Sequence, residues 1–429
     1  MDGISAECVH NFEFGAAREQ CGGGLSAPTT RVACMAGVFD RLVGQEDVEA
    51  DLTEAAVAAR SGVDSSAMTH SWLFTGPPGS GRSIAALCFA AALQCTTEGV
   101  PGCGHCQACS TTMAGTHGDV RRVVPEGLSI STKEMRDIVS IASRRPSTGL
   151  WQVVVVEDAD RLTEGAGNVL LKVVEEPPAR TVFLLCAPSV DPQDISVTLR
   201  SRCRHVSLVT PTVPAIAQVL QTRDKLDAET AEWAASISGG HVGRARRLAT
   251  DEDARARRKR ALALASAAAR PNQAYLAAEE LVKAAEDEAK EMSASRDEAE
   301  TEELRTALGA GGTGKGAAGA LRGSAGVLKD LEKRQKSRAT RTGRDSLDRA
   351  LMDLVGLYRD ALARSYGSTA TATHPDMAEQ VERMAKAVPP EALLKSIEAI
   401  LECRESLAVN AKPKFAIYAM VATLGDVLR

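Results

Sequence analysis

Aromatic residues make up only 3% of this chain, seven Phe, four Tyr and three Trp in 429 residues. The stacking platforms that grip unpaired bases are therefore scarce. Apolar runs are equally short: none approaches the roughly 18 residues that span a bilayer, and no basic segment followed by an apolar stretch opens the chain. These absences predict a soluble, cytoplasmic protein with no membrane partner. Charge of one sign is lacking too. With 51 Lys and Arg against 56 Asp and Glu, the formal net charge is −5, which gives no global attraction to nucleic acid. Eleven cysteines fall far below the roughly 8–10% of a secreted disulfide scaffold.

A length of 429 residues exceeds one ordinary domain and predicts two or three. Residues 1–34 are rich in Gly, Ala and Ser without helical or alternating period and read as a disordered extension, with Met35 as a candidate true start. Residues 35–209 alternate short apolar runs with amphipathic stretches. The runs at residues 72–74, 153–156 and 182–186 read as buried parallel strands of an α/β sheet with helices on both faces. Residues 210–268 read as a small helical lid. Residues 269–429 read as an all-helical C-terminal domain, broken at about residues 293–326 by a low-complexity segment expected to be a flexible loop.

One residue is missing from the most informative motif. GPPGSGRS, residues 76–83, has Gly76, Gly81 and Ser83 where a phosphate-binding loop needs them, with Gly79 within the loop, but Arg82 stands in place of the lysine. Glycines let consecutive N–H groups point at phosphate oxygens, the lysine bridges two phosphates and the hydroxyl holds Mg2+. A guanidinium keeps the charge and changes the geometry. ATP or ADP binding is thus expected as an option, with Mg2+ present only if nucleotide is bound, and efficient hydrolysis is not expected. VVVVEDAD, residues 153–160, supplies the acids at a strand end in inverted order, Glu157 and then Asp158. A second match, residues 309–315, lies in low-complexity sequence with no strand before it and reads as chance.

Cys95, Cys103, Cys106 and Cys109 are spaced C-x7-C-x2-C-x2-C. Four thiolates close a tetrahedral site without an open position, so structural Zn2+ is expected. His105 is the poorer ligand candidate, and Cys88, Cys186 and Cys203 read as small apolar packing. LRSRCRHV, residues 199–206, places Arg200, Arg202 and Arg204 on what composition alone reads as a solvated basic edge.

Together these residues resemble the clamp-loader AAA+ family of the bacterial replicase, and within it the delta prime branch of DNA polymerase III. The likeness runs through FDRLVGQ at residues 39–45, the glycine loop, the cysteine module, the acidic strand end, LLKVVEEPP at residues 170–178 and TLRSRC at residues 198–203. GLYRD, residues 356–360, looks like actinobacterial members. The resemblance implies an AAA+ nucleotide-binding domain, a helical lid and a helical collar. It further implies that Arg202 acts in trans as an arginine finger on ATP held by a neighbouring subunit. The implied partners are the tau/gamma ATPase subunits, the delta subunit, the sliding clamp and primed DNA, so that any polymerase label follows from holoenzyme membership. ATPase members carry a sensor arginine early in a lid helix, where this chain aligns Gly243, with Arg244 one residue away.

Two alternatives stand beside this reading. One is an active tau/gamma-like ATPase subunit. The other is a DNA-binding module using Arg121 and Arg122, Arg144 and Arg145, or the basic run at residues 255–260.

Overall fold

The computed structural model describes residues 37–61, 67–307 and 325–428. The N-terminal extension, Met35 and the loop match at residues 309–315 lie outside these.

Five strands form one parallel sheet: β1 (Ser71–Thr75), β2 (Val120–Val123), β3 (Gln152–Val156), β4 (Thr181–Ala187) and β5 (Arg204–Ser207), in the order β2-β3-β4-β1-β5. Every residue of β1, β3 and β4 is buried, as the continuous apolar runs require of strands covered on both faces. Alternation sorts their side chains into two cores. Trp72, Phe74, Val153, Val155, Leu184 and Cys186 face one layer, while Leu73, Val154, Val156, Phe183 and Leu185 face the other. Helices α1 (Glu46–Ser61) and α2 (Arg82–Gln94) cover the first face, and α4 (Thr132–Ala142) and α5 (Glu164–Glu175) the second. Ala85 through Gln94 of α2 are all buried. A helix enclosed on all sides must be apolar all round, and small alanines let it lie close to the sheet. This is the parallel α/β architecture, with helices on both faces, expected from the sequence.

α3 (Gln107–Ala114) belongs to the cysteine module, and α6 (Val197–Arg200) is a single turn capped by Ser196. Three short helices follow the sheet, α7 (Val213–Thr222), α8 (Ala228–Ser236) and α9 (Val242–Thr250), with a shared core of Ile216, Leu220, Ala231, Ala234 and Ala245.

The rest is helical: α10 (Glu252–Ala267), α11 (Pro271–Ala307), α12 (Ala325–Ser365), α13 (Ala378–Ala387), α14 (Pro390–Ala408) and α15 (Pro413–Val427). Leu347, Leu351, Leu354, Leu357 and Tyr358 of α12 recur at helical spacing and lie at the centre of this core. The loop expected from residue 293 needs correction, because α11 continues to Ala307. The polar residues there are paired across helices: Arg338 of α12 reaches Asp297 and Glu300 of α11 at 2.6 Å each. Residues 308–324 lie outside the described part.

Candidate nucleotide loop and cysteine centre

β1 delivers the glycine loop to the carboxyl edge of the sheet, where open α/β sheets bind ligands. Gly79 and Gly81 have φ of 90° and 95°, a region that L side chains rarely adopt. At Gly79 space is also exhausted: a Cβ there would lie 2.5 Å from the Cα of His241, the residue that caps α9 through its ring nitrogen. Gln45 holds the loop from below. Its amide donates to the carbonyls of Val209 at 2.7 Å and Ser80 at 3.4 Å, and its oxygen accepts from the Val209 N–H.

A cavity of about 730 Å3 opens beside the loop, lined by Gly79, Ser80, Gly81, Arg82 and Ser83 on one side and by Arg41, Arg223, His241, Gly243 and Arg246 on others. Arg41, Arg223 and Arg246 carry no motif signature, and the sequence reading missed them. Nη1 of Arg82 and Oγ of Ser80 are buried without a hydrogen-bond partner. Two orphaned donors in a loop that ends at a helix N-terminus fit a phosphate group. Burial, reinforced by the nearby Arg244, holds the His241 ring below its ordinary value.

The acids at the end of β3 do not line that cavity. Glu157 is ion-paired to Arg122 of β2 at 2.5 Å. Asp158 is ion-paired to Arg341, which also donates to the carbonyl of Pro125. Arg341 comes from α12, 183 residues away in sequence, and nothing local to VVVVEDAD signals it. Asp160, two residues on, is held above the usual carboxylate range by burial and then by the Asp158 charge.

Arg244 is committed to Asp353 of α12, while Gly243 lines the cavity beside the glycine loop. Arg202 lies exposed just beyond α6, ion-paired to Glu175 at 2.7 Å and donating to the Thr198 carbonyl at 3.1 Å. Arg204 is taken up internally, donating to the Ala67 carbonyl and stacking 4.9 Å from the Trp72 ring centroid. Two basic stretches considered for DNA are engaged internally in part: Arg122 as above, and Arg257 and Arg258 with Asp251, Glu288 and Asp376.

The ligand atoms of Cys95, Cys103, Cys106 and Cys109 all lie within 4.8 Å of one another. A tetrahedron with Zn–S bonds of about 2.3 Å has sulfurs about 3.8 Å apart, so the cluster fits a tetrathiolate ion with a small contraction. The backbone is arranged for anionic sulfur. The Cys106 N–H points at Sγ of Cys103 at 3.3 Å and the Cys109 N–H at Sγ of Cys106 at 3.4 Å. Burial raises the Cys95 thiol, but N–H donors from Cys103, Gly102 and Thr97 outweigh it and bring it down to about 6. His105 is exposed, its ring turned to the Cys103 carbonyl. Cys88 and Cys186 are fully buried in the core on the α2 face, and Cys203 is partly buried against the core on the opposite face.

Comparison with known proteins places these features. Residues 53–212 match the family model described as DNA polymerase III, delta subunit, and residues 345–413 match the model of its C-terminal part. DNA polymerase III subunit delta′ of Pseudomonas aeruginosa is 34% identical over 183 residues, 42% of this chain and 55% of that protein. The delta′ subunit of Escherichia coli is 32% identical over 191 residues, covering 44% and 57%. DNA polymerase III subunit tau of Bacillus subtilis is 32% identical over 179 residues, covering 42% and 30%. The matched region thus spans roughly a third to just over half of these relatives. Among solved structures, a gamma subunit-related protein from Thermotoga maritima aligns with 88% of this chain and all of its own at 15% identity, with a TM-score of 0.39.

Proposed function

The chain belongs to the DNA polymerase III delta-subunit family, and from that premise we propose that it is the delta prime subunit of a clamp loader, does not hydrolyse ATP itself, and serves catalysis in a neighbour. One observation carries the non-hydrolysing reading. Both carboxylates at the end of β3 are already neutralised by guanidinium groups, Glu157 by Arg122 and Asp158 by Arg341. A carboxylate paired in this way is unavailable to hold Mg2+ or to polarise a water. Arg82 and Gly243 support the same direction.

In this reading the loop still binds ATP or ADP. Gly76, Gly79 and Gly81 supply the curvature, Arg82 and Ser83 approach the phosphates, and Arg41, Arg223 and Arg246 surround the rest. Bound nucleotide supplies negative charge that the orphaned donors of Arg82 and Ser80 would satisfy. Arg202 is exposed at the edge of the sheet layer, and its partner Glu175 is a surface group that can be exchanged for a neighbour's phosphate at little cost. Guanidinium stabilises charge on a transferring phosphoryl group. The partners are the tau/gamma ATPase subunits and the delta subunit, and through the assembly the sliding clamp and primed DNA. Cys95, Cys103, Cys106 and Cys109 hold structural Zn2+.

The test uses the reconstituted loader. Arg202→Ala lowers DNA-stimulated ATP turnover by about tenfold or more with subunit assembly unchanged on gel filtration, while the isolated wild-type chain shows no turnover. Unaltered turnover in the variant loader overturns the finger. Hydrolysis by the isolated chain that Ser83→Ala abolishes overturns the non-hydrolysing reading in favour of an active ATPase subunit.

A further inference from the structure

A second cavity, about 240 Å3 in volume, lies among α9, α10, α11 and α12. Its wall carries six arginines, Arg244, Arg247, Arg257, Arg258, Arg260 and Arg349, against two carboxylates, Glu288 and Asp353. Two more acids stand behind the wall, Asp251 paired with Arg247 and Arg257, and Asp376 paired with Arg258. Even with these included, guanidinium groups outnumber carboxylates.

The deficit is sharpest at Glu288. This residue is 3% exposed and is shared by Arg247 at 2.6 Å, Arg349 at 3.2 Å and Arg257 at 3.8 Å, with the Ser346 hydroxyl as a fourth partner. With Asp251, which also pairs with Arg247 and Arg257, two carboxylates face these three guanidinium groups and leave a positive surplus. Arg258 provides an independent sign. Its side chain is only 8% exposed and its terminal nitrogens are held by Asp376 and His374, yet its Nε is buried with no acceptor.

We propose that this cavity binds a small anion of the phosphate class, a free polyphosphate such as pyrophosphate. Planar guanidinium forks match phosphate oxygens two at a time. Size excludes a nucleotide: the volume lies below the roughly 300–1,000 Å3 of pockets that take drug-sized ligands. Composition agrees, since the lining offers no Phe, Tyr or Trp to stack on a base. A bound anion draws together arginines from α9, α10 and α12, and His241 lines this cavity as well as the nucleotide cavity. Occupancy here therefore stiffens the base of α9, which abuts the glycine loop at Gly79.

The experiment is isothermal titration of pyrophosphate into the full chain at low ionic strength without divalent cations, with thermal melting in parallel. Arg82→Ala, which removes the glycine-loop contact, keeps one pyrophosphate site and still melts higher with ligand, which separates this site from the glycine loop. The double variant Arg257→Ala, Arg349→Ala loses about tenfold or more in affinity. If that variant is misfolded by circular dichroism, Arg257→Lys with Arg349→Lys keeps the charge, loses the forks and still binds more weakly. Titration of a sugar phosphate ester in place of pyrophosphate tells an organic phosphate from a free one, and saturable binding of either that requires Arg257 and Arg349 supports the site. Absence of binding, loss of all binding in Arg82→Ala, or sulfate binding as tightly as pyrophosphate at matched ionic strength overturns it.

Discussion

Glycine at position 79 is fixed by two separate demands, a left-handed φ and the backbone of His241 at 2.5 Å from any added Cβ. Gly81 meets only the first, with open space around it. Gly79→Ala is therefore expected to destabilise by roughly 2–3 kcal/mol and Gly81→Ala by roughly 1 kcal/mol, read from urea midpoints. Equal midpoints would show that the loop moves off α9 freely. The glycines, the acids and the cysteines were all legible in the sequence, because each sits within a short motif whose spacing has a chemical reason. What fills the charges was not. Arg122 reaches Glu157 across adjacent strands and Arg341 reaches Asp158 from a distant helix, and no pattern local to either acid records such a partner.

Among elements, legibility followed burial. β1, β3 and β4 are apolar on both faces and announce themselves. β2 reads VRRV and β5 reads RHVS; these short edge strands keep polar residues on their open sides and give no run. The end of α11 was mistaken for a loop because its composition is polar, whereas its ion pairs with α12 are tertiary.

The cysteine module packs into the core on the α2 face of the sheet. Its Gly102 carbonyl accepts from the Val38 N–H at 2.8 Å, so the module braces a wall of the cavity beside the glycine loop. One zinc per chain is expected by metal analysis, lost with Cys109→Ser, with a fall in melting temperature of roughly 5 °C or more. Metal-free native protein with an unchanged melt would refute it.

The turn after α12 is expected to be pH-sensitive. His374 accepts from Arg258 at one ring nitrogen and its other nitrogen meets the Asp353 carbonyl, with Asp360 and Asp376 also near. Burial, against the raising effect of Asp353, holds the ring below its ordinary value of 6.5. The unfolded chain therefore takes up the proton first. This contribution is whole above pH 6.5 and is lost as the pH falls through the lower folded value. Melting temperature is expected to drop below about pH 6, and His374→Gln should flatten that acid limb; an identical limb in the variant would place the titration elsewhere.

For the molecule as a whole, the decisive long-range link is Arg341. Arg341→Ala strands Asp158, 25% exposed, and is expected to destabilise by about 1–3 kcal/mol. The same change frees an acid, so Mn2+ binding measured by electron paramagnetic resonance in the presence of ATP should strengthen relative to wild type. Unchanged metal affinity would mean that the ion pair does not limit the site.

Arg341 and Asp353 sit on one unbroken helix, twelve residues and thus about 18 Å apart. The first is tied to the end of β3 and the second to α9. One tie fixes a point, whereas two fix a direction. A rotation of α9 against the sheet, of the sort that nucleotide exchange could otherwise drive, must break one end or bend the rod. The chain is built to hold the angle between α9 and the sheet.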